Sequence, residues 1–94
     1  MKRFAKKTDD NQPEIVDALR KAGCVVFVIG RPFDLLVARD KQLCLMEVKN
    51  PEGRNKLSES QRDDIAELWF KGVRVHIVRS AEEAIAAVTE MEDK

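Results

Sequence analysis

Phe33-Asp34-Leu35-Leu36-Val37-Ala38-Arg39-Asp40-Lys41-Gln42-Leu43-Cys44-Leu45-Met46-Glu47-Val48-Lys49 is the stretch that decides the fold. Two apolar runs, 33–38 and 43–48, flank a polar tetrad, Arg39 to Gln42, and read as two strands of a β-hairpin. Centring the connection between Asp40 and Lys41, with two or four residues in the turn, pairs Ala38 with Leu43, Val37 with Cys44, Leu36 with Leu45 and Leu35 with Met46. The next pair is Asp34 with Glu47. In this register both carboxylates leave the same face, with Cβ atoms roughly 5 Å apart. Lys49, two residues beyond Glu47, points to that face as well.

Outward from the hairpin, the flanking elements follow. Pro13 to Ala22 predicts a helix, with Pro in its first turn, Gly23 just past its end, and Ile15, Val16, Leu19 and Ala22 as one apolar stripe. Cys24 to Ile29 predicts a strand closed by Gly30-Arg31-Pro32. Asn50 to Asn55 is a turn-rich loop. Ser58-Glu59-Ser60-Gln61 fits a capping box that opens a helix to about Lys71, stopped by Gly72. Val73 to Val78 predicts a strand, and Ser80-Ala81-Glu82-Glu83 a second box opening a helix through Ala87 toward Met91. The order α-β-β-β-α-β-α implies a mixed α/β sheet with helices packed against it. Apolar residues at both strand parities imply burial on both sheet faces. Residues 1–11 read as a flexible basic and polar arm, and 12–94 as a single domain.

Two acids facing each other across a hairpin repel, and a divalent cation would offset that repulsion. Carboxylate oxygens suit Mg²⁺ or Mn²⁺. Glu14 lies about 120° from the centre of the first helix's apolar stripe, so it could flank the sheet edge; Asp17 points outward. Gln61 shares a stripe with Ile65 and Leu68 and so points toward the sheet, where its amide needs partners. It can equally return a capping bond to Ser58. Trp69 is expected to pack in the core. His76, the sole histidine, receives no role. Cys24 and Cys44 read as small, reduced core residues.

Composition sets the outer limits. The chain has 94 residues, 44% of them apolar, with 17 basic and 17 acidic side chains. Zero net charge excludes a polycation that binds nucleic acid by bulk charge. Four Phe, one Trp and no Tyr argue against a base-stacking platform. No apolar run reaches the length of a membrane span and no secretory core follows the basic N-terminus, so a soluble, cytoplasmic protein without membrane partners is expected.

Glu14, Asp34 and Glu47-Val48-Lys49 on this element order resemble the PD-(D/E)xK nuclease superfamily. Gly30-Arg31-Pro32-Phe33-Asp34-Leu35-Leu36-Val37, Glu47-Val48-Lys49, Leu57 through Gln61, and Gly72 with Val73 and Val75 resemble its VRR-NUC family, in the small stand-alone phage and bacterial form. The likeness spans roughly residues 13–88. Phe33 separates Pro32 from the acid where many members read Gly-x-Pro-Asp, and Val78-Arg79-Ser80 only partly echoes the name-giving run. The resemblance implies a restriction-endonuclease-like αβββαβ core with an extra C-terminal helix. It also implies a metal-dependent DNA endonuclease, a homodimer selective for branched DNA such as Holliday junctions, acting in the cytoplasm of a host cell if phage- or prophage-encoded. Asp34, Glu47 and the Val48 carbonyl would hold Mg²⁺ or Mn²⁺, with Glu14 completing the shell directly or through water. Lys49 would orient or deprotonate the attacking water or stabilise the pentacovalent transition state, and Gln61 would position that water or Lys49. Lys2, Arg3, Lys6 and Lys7 of the arm, with Arg54 and Lys56, would follow the DNA backbone. The competing expectation is an inactive or weakly active nucleic-acid-binding module on the same fold.

Overall fold

The computed structural model describes residues 10–51 and 57–92. The chain runs α1 (Gln12–Lys21), β1 (Val25–Val28), β2 (Leu35–Arg39), β3 (Gln42–Val48), α2 (Glu59–Phe70), β4 (Arg74–Val78) and α3 (Ala81–Glu92). One sheet of order β1-β2-β3-β4 holds all four strands. The first three pair antiparallel, and β4 returns parallel to β3 through α2. The fold is thus the expected mixed α/β arrangement, compatible with a restriction-endonuclease-like fold.

The β2–β3 register runs from Leu35↔Met46 to Arg39↔Gln42, as the symmetric hairpin requires. The connection is the two-residue form. Asp40 and Lys41 both take positive φ, 48° and 72°, the type I′ geometry that matches strand twist. Neither is glycine, so the turn accepts backbone strain, and Lys41 has no short polar side chain to ease it.

Strand parity assigns the two faces. Val26, Leu35, Val37, Cys44, Met46, Val48 and Val78 face α1 and α3 and form the main core with Ile15, Val16, Leu19, Ala84, Ala87, Val88 and Met91. Both cysteines are buried and free, and burial pushes the Cys44 thiol up to about 11, with Cys24 adding to the shift. The opposite face carries Val25, Phe27, Leu36, Ala38, Leu43, Leu45, Glu47, Val75 and Ile77. Only α2 covers it. That helix packs on β4 and contributes no buried residue of its own. The expectation of burial on both faces therefore fails on the β1–β2 half, because one helix spans only about two strands. Trp69 is corrected likewise. It sits at the flank of α2, half exposed, with the Arg74 guanidinium 4.8 Å from its ring centroid.

Caps form largely as read. Ser58 Oγ accepts from Gln61 N, and Ser58 N donates to Gln61 Oε1. At α3, Ser80 Oγ accepts from Glu83 N, but the Glu83 carboxylate accepts from Arg79 N, one residue earlier than in a standard box. The exposed edge of β1 is blunted by Arg20, which donates to the Val26 carbonyl at 2.9 Å.

Two predictions follow from this architecture. Replacing Asp40-Lys41 by Asn-Gly should stabilise the protein by about 1 kcal/mol in urea denaturation, because the turn then meets its φ requirement without strain. His76 is half-buried, and burial together with the Arg74 charge lowers its pKa from 6.5, while Glu90 opposes the shift. The unfolded chain therefore binds this proton more readily, and His76 should cost stability as pH falls below 6.5 toward its folded pKa. Thermal melts at pH 7.5 and 5.5 should show a smaller pH-dependent loss for His76→Gln than for the parent.

Candidate active site

Three strand ends and the first turn of α2 meet where β2 begins and β3 ends. The β1–β2 connection places Asp34 there. Its carbonyl accepts from Ile29 N at 2.9 Å and from Gly30 N at 3.2 Å, which continues the β1–β2 ladder by one residue. Its side chain leaves the β2–β3 ladder. Asp34 Oδ2 accepts from Val48 N at 2.8 Å, in the position a further β2 residue would otherwise fill. The expected apposition of Asp34 with Glu47 thus takes the form of a carboxylate bridging to the backbone one residue beyond Glu47.

Glu47 is 1% exposed and Asp34 6% exposed, so both carboxylates lie below the surface. Glu47 Oε2 accepts from Gln61 Nε2 at 3.0 Å and lies 3.5 Å from Lys49 Nζ. Gln61 performs both expected tasks at once: its oxygen closes the cap on Ser58 and its nitrogen holds Glu47. The capping box therefore fixes the rotamer of a side chain that reaches the sheet. Lys49 N donates to Val78 O, which turns the flanking Val48 N–H and C=O toward β2. The Val48 carbonyl consequently shares the edge that Asp34 lines.

The donor set is two buried carboxylates and a backbone carbonyl, all hard oxygen ligands suited to Mg²⁺ or Mn²⁺. Glu14 does not join them. It is an exposed acid in the first turn of α1, where it suits the helix dipole. Among the described residues, no three His, Cys, Asp or Glu side chains gather as a metal-binding group. A direct Glu14 ligand would require its side chain to move inward. Asp17 points outward as expected and pairs with Lys21 at 3.1 Å. Lys2, Arg3, Lys6, Lys7, Arg54 and Lys56 lie outside the described residues.

A cleft of about 520 Å³ opens beside Gln61, lined by Gly30, Arg31, Pro32, Ser58, Ser60 and Asp64. It lies between the β1–β2 connection and the start of α2, with Gln61, the partner of Glu47, on its wall.

Asn11, which its polar neighbours place in the arm, belongs to the body. Its Nδ2 donates to the Lys49 carbonyl at 3.1 Å and to the Arg79 carbonyl at 2.9 Å. The start of α1 is thereby tied to the ends of β3 and β4, immediately behind Lys49. The only sequence signal is an Asn just before a helix with Pro in its first turn; Asn11 makes no side-chain cap there, since its Nδ2 is turned to these carbonyls and its buried Oδ1 accepts no hydrogen bond among the described residues.

No family model matches the chain, and no curated protein matches it.

Asn11→Ala should destabilise the protein by about 1–3 kcal/mol, the sum expected for two net hydrogen bonds to buried carbonyls. Urea denaturation at neutral pH measures it. Asn11→Asp should be at least as damaging, because a carboxylate presents no donor to either carbonyl.

Proposed function

We propose that the protein is a metal-dependent DNA endonuclease of the PD-(D/E)xK type, resembling the VRR-NUC family and acting on branched or duplex DNA in the cytoplasm. The observation that supports this reading is the set Asp34, Glu47, Val48 and Lys49: two buried carboxylates from adjacent strands, a carbonyl on the same edge, and an ammonium 3.5 Å from one carboxylate. The resemblance of the surrounding residues to the family's motifs adds the substrate class.

In this reading Asp34, Glu47 and the Val48 carbonyl would hold Mg²⁺ or Mn²⁺, which would supply Lewis-acid stabilisation of the phosphate oxygens and a more acidic water. The protein side chains do the rest. The Val48 N–H keeps the Asp34 carboxylate in one orientation. Gln61 keeps Glu47 in one rotamer and excludes its rotation away from the edge. Lys49 presents a cation where negative charge grows as water attacks phosphorus, and so stabilises the transition state. The P–O3′ bond breaks, the 3′ oxygen takes a proton, and the products are a 5′-phosphate and a 3′-hydroxyl. Glu14, exposed in the first turn of α1, would contribute to the metal through water. Lys2, Arg3, Lys6, Lys7, Arg54 and Lys56 neutralise backbone phosphates on either side. Paired incision of two strands needs two such sites related by a two-fold axis, hence a homodimer.

The test uses linear duplex, single-stranded, flap and four-way-junction DNA with Mg²⁺, Mn²⁺ or EDTA. Cleavage should require metal, and Asp34→Asn and Glu47→Gln should each lower it on the order of 10²–10³-fold. Asp34→Asn is preferable to Asp34→Ala, since an amide oxygen can still accept from Val48 N, whereas Ala leaves that buried N–H unpaired at a cost of about 1–3 kcal/mol. Mn²⁺ titration calorimetry should lose its heat in both variants. Full activity in either variant would remove the metal site, and DNA binding without cleavage under any metal would leave a binding module.

A further inference from the structure

A trough runs along α2, on the side that faces the β1–β2 connection. Its polar end is the cleft beside Gln61. Its other end is a groove of about 560 Å³ lined by Pro32, Asp64, Glu67, Leu68, Phe70 and Lys71. Pro32 and Asp64 line both, so the two run into one another. The groove has two unlike walls. Phe70, 86% exposed, stands with Leu68 and Pro32 as an apolar wall. Asp64 and Glu67 form an acidic rim, and among the described residues neither carboxylate has a hydrogen-bond or ion-pair partner.

We infer that the chain's own N-terminal segment, residues 1–9, docks in this trough, with Phe4 against Pro32, Leu68 and Phe70 and the flanking cations on Asp64 and Glu67. Docking takes Lys2, Arg3, Lys6 and Lys7 away from DNA, so the segment acts as a brake on substrate binding. The inference deepens the proposed function and rests on it only for that brake; docking itself is independent of any nuclease activity.

Charge decides the occupant. From Glu59 to Lys71, the helix and its cap carry Glu59, Asp63, Asp64 and Glu67 against Arg62 and Lys71. A polyanion or an anionic lipid surface is repelled there. The cations of the trough stand at its two ends, Arg31 in the cleft and Lys71 at the end of α2, with the two acids between them. Residues 1–9 carry Lys2, Arg3, Lys6 and Lys7 against Asp9 alone. Phe4 stands between the two basic pairs, so a ring flanked by cations meets an apolar wall flanked by acids. Exposed ion pairs contribute little each; the ring supplies most of the affinity and the charges set the register.

Reach allows it. Asn11 ties the start of α1 to the Lys49 carbonyl, at the end of the sheet where Gln61 meets Glu47. The polar mouth of the trough therefore lies at the end of the sheet from which residues 1–9 depart. Phe4 precedes Asn11 by seven residues, a span of ~23 Å when extended. Gln61 and Leu68 are also seven residues apart, but along a helix, so only about 10 Å separates them. A tethered segment acts at an effective concentration in the millimolar range, so a contact too weak to hold a separate peptide suffices.

The experiment is zero-length carbodiimide coupling of the full chain, dilute and in EDTA without DNA, followed by digestion and mass spectrometry. Amide links from Lys2, Lys6 or Lys7 to Asp64 or Glu67 are expected. In a mixture of isotopically light and heavy chains, each link should join residues of one chain. Phe4→Ser and Phe70→Ser should each lower the yield of these links several-fold, with circular dichroism unchanged. Binding of a labelled four-way junction in EDTA reads the brake. A segment docked nine-tenths of the time lowers apparent DNA affinity about tenfold, so Phe70→Ser should raise it by about that factor without adding a cation. Phe4→Ser combined with Phe70→Ser should gain no more than either alone, since both break one contact.

Links that are absent, that join light to heavy chains, or that persist undiminished in both serine variants overturn the inference. An unchanged DNA affinity in Phe70→Ser, where the parent binds DNA, overturns the brake. A chain that shows the links and neither binds nor cleaves DNA sinks the nuclease reading alone. One that cleaves DNA and shows no links sinks only the docked segment.

Discussion

Side chains on a strand leave alternate faces, so the two-residue turn at Asp40 and Lys41 controls where every group of the hairpin points. A slip of one residue would carry Val37, Cys44 and Met46 out of the core and turn Glu47 into it. The core on the α1–α3 side opposes that slip, because those three side chains are fully buried. The strained turn is tolerated because burial on one face leaves no other register. The site follows from the same constraint: Glu47 and Lys49 share a face because they are two residues apart, and Asp34 meets Val48 because β2 starts at Leu35, opposite Met46, and offers Val48 N no strand carbonyl.

Around that edge, local structure and the site are coupled. Gln61 is at once the third residue of a helix cap and the partner of the most buried acid. The start of α2 is thus held by its own cap and by the sheet together, though the helix buries no side chain fully. Asn11 acts similarly on the other side, using one amide nitrogen to join α1 to the ends of β3 and β4. Both are amides, which can donate and accept at once, and both link elements that apolar packing alone would leave free to slide.

The two sheet faces differ sharply. Two helices cover one face and supply nearly all of the core. One helix covers half of the other, and there the acids, the cleft and the apolar recess lie side by side. Among the described residues nothing covers the other half, and Val25, Phe27 and Leu43 stand exposed there.

The sequence by itself determined the element order, the hairpin register, the first capping box and the buried state of both cysteines. Each depends on neighbours within a few residues or on strict alternation, which local physics dictates. It also placed Asp34, Glu47, Lys49 and Gln61 on one side of the sheet. Only the tertiary structure decided that Asp34 bonds to the Val48 backbone, that Glu14 stays exposed on α1, that Asn11 belongs to the body, and that Trp69 and, among the described residues, the β1–β2 face lie open. Those outcomes depend on where strands end and how far one helix reaches across the sheet. Periodicity along the chain carries no information about either distance.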